Sequence, residues 1–169
     1  MKQAFKIIVV LIAVGGLCLS CHKYPEDPFI SFVKPSDRLS GTKDGYTWKF
    51  TSYKINGVEH SHDFDNILSP RTLTNITLTF FPNPKGEELI FTINDLNIPG
   101  NNWGINKTTN TIGFSINTNH AGPTDSTAYK FSPILGYYQT SLVEWKIDEL
   151  YESTFHISNN GIDIYFEKQ

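Results

Sequence analysis

Val143-Glu144-Trp145-Lys146-Ile147-Asp148 and, a short interval later, Ile162-Asp163-Ile164-Tyr165-Phe166-Glu167 decide the fold class of this 169-residue chain. In both runs apolar and polar residues alternate with period two. Successive side chains of a β-strand point to opposite faces, so Val143, Trp145 and Ile147 share one side and Glu144, Lys146 and Asp148 the other. The same reading puts Ile162, Ile164 and Phe166 inside and Asp163, Tyr165 and Glu167 outside. Working outward, Tyr46, Trp48 and Phe50 alternate with Thr47, Lys49 and Thr51, and Ile76, Leu78 and Phe80 with Asn75, Thr77 and Thr79. Leu89, Phe91 and Ile93, then Ile112, Phe114 and Ile116, repeat the pattern. Asn56-Gly57, residues 82–86, residues 99–102 and Ser158-Asn159-Asn160-Gly161 supply turn formers between the runs, and short turns imply antiparallel neighbours. With weaker strands at 127–132 and 153–157 the total is about eight, and no segment past residue 30 keeps a 3.6-residue period over ten positions. The expected fold is all-β and antiparallel, either an eight-stranded up-and-down barrel or a two-sheet sandwich. Consecutive hairpins favour the barrel. Because the inward sets are Phe, Ile, Leu, Val and Trp, the enclosed space is expected either to be filled by side chains or to hold a small apolar ligand.

The other informative stretch is the N-terminus. Lys2 and Lys6 precede an apolar run from Ile7 to Leu17, which ends in Leu19-Ser20-Cys21. Eleven residues are too few to cross a hydrocarbon core of about 30 Å as a stable helix, and a small residue before a cysteine suits a lipoprotein signal peptidase. Residues 1–20 are therefore expected to be a signal peptide cleaved after Ser20, with Cys21 lipidated. Residues 21–38 would form a tether kept extended by Pro25, Pro28 and Pro35, and 39–169 the domain. A plain secretory peptide and an uncleaved anchor are the rival readings. Loss of residues 1–20 leaves 149 residues, enough for one core, and removal of Lys2 and Lys6 leaves 12 basic against 17 acidic residues, a net charge of −5. That balance gives no electrostatic reason to bind nucleic acid. Cys18-Leu19-Ser20-Cys21 has the spacing of a redox CxxC, but it closes an apolar signal and lacks the strand and helix such a site needs. With Cys21 lipidated, the domain holds no thiol and must be stabilised by burial.

Several pieces of the chain together resemble one group of proteins: Leu19-Ser20-Cys21-His22-Lys23, then Leu39-Ser40-Gly41 leading to Trp48-Lys49-Phe50-Thr51-Ser52-Tyr53-Lys54-Ile55-Asn56-Gly57. Near the end stand Trp145-Lys146-Ile147-Asp148-Glu149-Leu150 and Ile162-Asp163-Ile164-Tyr165-Phe166-Glu167-Lys168. The chain is similar to the lipocalin-like lipoproteins of Bacteroidota, small β-barrel domains behind a lipoprotein signal. The resemblance implies a calycin-type barrel and an outer-membrane destination, periplasmic or surface leaflet open. It carries no assigned activity. Lipocalins proper have Gly-x-Trp on the first strand and a late Arg over that Trp. Here Gly45 is one residue too far from Trp48 and no Arg follows Arg71.

For chemistry, His60-Ser61-His62-Asp63-Phe64-Asp65 is the most metal-like stretch, since alternating histidines on a strand would point the same way. Spacing fixes no third ligand, and a solvated hairpin end explains the residues equally. Trp103 among Asn101, Asn102, Gly104 and Asn106, with Tyr137 and Tyr138, would suit a sugar-binding platform if exposed and a core cap if buried. Asp125-Ser126-Thr127 resembles the O-glycosylation signal of exported Bacteroidota proteins, with Ser126 as acceptor. Gly-x-Ser-x-Gly, P-loop, His-Glu-x-x-His and Gly-x-Gly-x-x-Gly motifs do not occur, so neither enzyme activity nor a cofactor is expected. The reading reached is a lipid-anchored binding or accessory module of the envelope. Its ligand could be a small apolar molecule, a glycan or an envelope protein; the alternatives are an assembly subunit and a carrier of a small apolar ligand.

Overall fold

The structure, a computed structural model, describes residues 33–41, 43–82, 91–93, 102–115, 134–135 and 143–169. Ser20, Cys21, the tether up to residue 32, Ser126, Tyr137, Tyr138 and the strand expected at 127–132 lie outside them.

Within these residues the chain is all-β and antiparallel. A short helix α1 (Pro35–Ser40) leads into strand β1 (Tyr46–Ile55). After β2 (Val58–Glu59) come a 3₁₀ turn at Ser61–Phe64, the single-turn helix α2 (Asp65–Leu68) and a second 3₁₀ turn at Leu73–Asn75. The remaining strands are β3 (Thr77–Phe80), β4 (Phe91–Ile93), β5 (Asn102–Asn106), β6 (Thr111–Ser115), β7 (Val143–Leu150), β8 (Thr154–Asn159) and β9 (Ile162–Lys168). They form one sheet in the order β4-β3-β1-β9-β8-β7-β6-β5, with β2 paired to β1 off this path. This is the neighbour order of a circular meander lacking one link. Among the described residues β4 and β5 do not pair, so the barrel expected from the hairpins is an open sheet.

The Asn-Gly signals act as their chemistry requires. Asn56 and Gly57 have φ of 50° and 80°, Asn160 and Gly161 of 48° and 78°, the paired left-handed conformations of a tight hairpin. These turns join β1 to β2 and β8 to β9.

The inward faces match the alternation over most of the strands. Trp48, Phe50, Leu78, Phe80, Ile112, Phe114, Trp145, Ile147, Ile164 and Phe166 are buried. Two bulges break the phase. In β1 the register shifts between Phe50 and Ser52, after which Tyr53 is the next buried residue; in β7 it shifts between Ile147 and Glu149, after which Leu150 turns inward. An extra residue in one strand leaves two consecutive side chains outside, the usual effect of a bulge.

Aromatic rings occupy the space between the facing strands. Phe50 meets Phe166 at 4.4 Å between centroids, Phe166 meets Phe155 at 5.1 Å, and Phe155 meets Trp48 at 5.7 Å. Phe80 of β3 spans the interior to Phe155 of β8 at 6.5 Å. It also touches Trp103 of β5 at 5.4 Å and Phe114 of β6 at 6.1 Å. Among the described residues, where β4 and β5 are not paired, the β3 side of the sheet thus meets the β5–β6 end through side chains. Both deeply buried indoles are satisfied: Trp48 Nε1 donates to Leu39 O at 2.7 Å and Trp145 Nε1 to Leu135 O at 3.0 Å.

The end of the expected tether is folded. Pro35 begins a helix instead of extending the chain, consistent with its fitness for the first helical turn, where a missing N–H is not needed. Arg38 Nη1 donates to Leu150 O at 2.8 Å, and Leu39 is fully buried. Among the described residues, packing onto the sheet thus reaches back into the stretch expected as tether.

Candidate functional site

A crevice of about 530 Å³ opens at one end of the sheet, beside α1. Val33, Asp37 and Arg38 form one wall; Tyr46 at the start of β1, Tyr151 and Glu152 in the β7–β8 turn, and Lys168 at the end of β9 form the other. The fold explains this gathering. Antiparallel pairing sets Trp48 opposite Lys168 and Phe155 opposite Leu150, which brings the start of β1, the end of β9 and the β7–β8 turn to one end of the sheet. The burial of Leu39 then fixes α1 against that end.

The crevice is amphipathic. Lys168 Nζ lies 3.2 Å from the centroid of the Tyr46 ring, a cation–π contact that orders both side chains. Two cations and two carboxylates balance formally, and two phenols offer donor and acceptor groups beside apolar ring faces. Such a lining can hold a polar or zwitterionic group against an aromatic wall. A second concavity, also of about 530 Å³, lies over β5–β6, with Asn102, Gly104, Asn106, Thr111, Gly113 and Glu144 along it. Gly104 and Gly113 are direct cross-strand partners, so its floor carries no side chains there. Thr111 Oγ1 donates to Glu144 Oε2 at 2.9 Å on its rim.

Trp103 does not serve a sugar platform. It is 4 % exposed and edge-on to Phe80, so the indole caps the core while Asn102 and Asn106 lie on strand positions of the other parity. His60 and His62 do not share a site either. The segment is a 3₁₀ turn rather than a strand, and each ring is bound to its own carboxylate: His60 Nδ1 to Asp63 Oδ2 at 2.7 Å, His62 Nδ1 to Asp65 Oδ2 at 3.0 Å. Near this turn Glu59 has a structural task. It accepts hydrogen bonds from the hydroxyls of Ser52 and Ser61 and from the backbone N–H groups of Ser61 and Tyr53. Partial desolvation opposes ionisation of Glu59, but these bonds outweigh it and hold the carboxyl at about 2.

The crevice residues were invisible to the alternation argument. Asp37 and Arg38 fall in what reads as tether, and Tyr46 and Lys168 meet only through strand pairing. Among the described residues, no helix is long and apolar enough to cross a membrane.

No protein-family model matches the sequence, and neither does any curated protein. Two solved structures match. One is a lipocalin-like protein from Bacteroides uniformis, with TM-score 0.43 and 12 % identity over 78 % of this chain and 99 % of that one. The other is an uncharacterized protein from Bacteroides eggerthii, with TM-score 0.41 and 12 % identity over 73 % of this chain and 97 % of that one.

Proposed function

We propose that the protein is a lipid-anchored, non-enzymatic binding or accessory module of the outer membrane, and that it engages its ligand or partner at the end of the sheet beside α1 rather than within the filled core. The observation that carries the reading is the chain of ring contacts from Phe50 to Phe114. Residues that would line a lipocalin-type pocket touch one another instead, while the crevice beside α1 is open. A ligand with a polar or zwitterionic head and a short apolar portion suits its paired charges and phenol rings.

The anchor rests on the signal ending at Ser20-Cys21. The core of the described residues begins at Leu39, which is compatible with the preceding segment serving targeting and attachment. The 12 residue-to-residue steps from Cys21 to Val33 span at most about 40 Å, which would keep the crevice beside α1 within reach of the membrane surface. A role as assembly subunit is the second reading, favoured by Val58 and Ile67, which are 61 % and 50 % exposed.

Growth of a Bacteroidota host with an alkyne-bearing fatty acid tests the anchor: label is expected on the wild-type protein and absent from Cys21→Ser. An unlabelled wild type refutes it. Titration with an environment-sensitive apolar dye tests binding in the crevice rather than in the core. Saturable, one-to-one binding abolished by Phe114→Trp but unaffected by Lys168→Ala would return the carrier reading in its place.

A further inference from the structure

The β7 bulge has a chemical product on the outer face. Because the register shifts between Ile147 and Glu149, Asp148 is the extra residue and projects beside β8, where Glu149 pairs with His156. On the next strand, Tyr165 pairs with His156 and Asp163 with Ser158. Asp148, His156 and Asp163 therefore converge from three adjacent strands. One ligating atom from each lies within 4.8 Å of the others. All three side chains are partly withdrawn from solvent, at 21 %, 12 % and 29 % exposure.

We propose that Asp148, His156 and Asp163 form a divalent-cation site, of the kind that takes Mn²⁺ or Zn²⁺, with water or a ligand oxygen in the open positions. Three features point to a cation beyond the mere gathering of acidic groups. First, Asp148 Oδ2 is shut off from solvent and makes no hydrogen bond of its own, although Lys146 and the Ser158 hydroxyl both interact with the carboxyl; an anionic oxygen so placed is well satisfied by a cation. Its other oxygen is engaged by the Lys146 ammonium, so the lysine does not fill this vacancy.

Second, the spacing suits coordination. His156 Nε2 and Asp163 Oδ1 are 3.0 Å apart. Bonds of about 2.1 Å at right angles separate neighbouring ligands by about 3.0 Å, so a cation could replace the hydrogen these two atoms share. The imidazole would then carry its single proton on Nδ1 and present the Nε2 lone pair to the ion. Drawing in Asp148 from the 4.8 Å limit requires a closure of about half an ångström against the widest separation, about 4.2 Å, of two such ligands. A side-chain torsion suffices.

Third, the ring that would bind is already oriented. His156 lies flat on Tyr165, centroids 4.1 Å apart and planes within 12°, and Lys54 Nζ is 4.9 Å from the Tyr165 ring. Two carboxylates and one imidazole form a mixed oxygen–nitrogen set, suited to Mn²⁺ and Zn²⁺ rather than to soft cations. Lys146 and Lys54 oppose the cation by repulsion, and Glu149, opposite His156, assists it.

The full-length protein, titrated with Mn²⁺ and followed by loss of the free-ion electron paramagnetic resonance signal, is expected to bind one equivalent that Zn²⁺ displaces. Asp163→Asn and His156→Gln should each weaken binding roughly tenfold or more. Lys146→Met, which removes a competing positive charge, should strengthen it severalfold. The double variant His60→Ala/His62→Ala should bind as the wild type does, and a loss there would overturn the proposal by placing the ion in the other histidine stretch. So would the absence of saturable binding up to about 1 mM Mn²⁺, or unchanged affinity in Asp163→Asn. Should His156→Gln fail to fold, Lys146→Met decides: unchanged or weaker affinity counts against the site.

Discussion

If side chains rather than a backbone ladder join the ends of this sheet, Phe80 and Trp103 must be energetically coupled. Phe80 is fully buried and touches Trp103, Phe114 and Phe155, so Phe80→Ala removes one ring from three partners. A Phe→Ala change in a core destabilises by about 3–5 kcal/mol. For a domain of this size that lowers the melting temperature by about 10–20 °C. The decisive quantity is the coupling. An edge-to-face pair contributes about 0.5–1.5 kcal/mol beyond its burial. In a double-mutant cycle, the summed losses of Phe80→Ala and Trp103→Ala should therefore exceed the loss in the double variant by about 1 kcal/mol. Urea unfolding measures all four corners. Trp103 itself gives a second readout: all three tryptophans are buried, and Phe80→Ala should shift emission to the red as water reaches the indole that loses its partner. Additivity within about 0.3 kcal/mol, with unshifted emission, would refute a side-chain seam and require a backbone link between β4 and β5.

Other outcomes follow from the same geometry. Trp48→Phe removes the donor to Leu39 O and should destabilise by about 1–3 kcal/mol, with faster amide exchange in α1 than in β8. Glu59 has a depressed folded-state value, so its contribution to stability is complete above about pH 4.5 and is lost as pH falls towards 2; Glu59→Gln should flatten unfolding free energy across that window. Lys168→Ala should leave the unfolding free energy within about 1 kcal/mol of wild type, because the Lys168–Tyr46 contact is a cation–π pair near the surface, while weakening the binding of any ligand held in the crevice beside α1.

The strands were legible because each buries one face: where Ile112 and Phe114 or Ile164 and Phe166 alternate with small or polar residues, spacing alone gives the inward set. The Asn-Gly turns were legible because few other pairs tolerate two positive φ values. Phase breaks were not. Asp148 reads as one more outward residue, and its meeting with His156 and Asp163 depends on a bulge and on register across three strands. One signal was present: Leu150 is apolar at a position that strict alternation from Ile147 assigns to solvent. Helix α1 was missed for a different reason. Its six residues are too few to show a period, and its place is fixed by long-range contacts of Arg38 with Leu150 and Leu39 with Trp48. The failure of Trp103 as a platform follows from strand parity, which turns the indole away from Asn102 and Asn106.

Gln169 N donates to Thr47 O at 2.9 Å, which stitches the final residue beside the start of β1 and next to α1. A reporter fused after Gln169 would consequently emerge alongside the segment that leads into β1. An epitope inserted at Asn160-Gly161 would stand at the opposite pole, about 20 Å away along β9. Under the proposed anchor at Cys21, antibody access to the two tags on intact cells would report which pole of the domain faces outward.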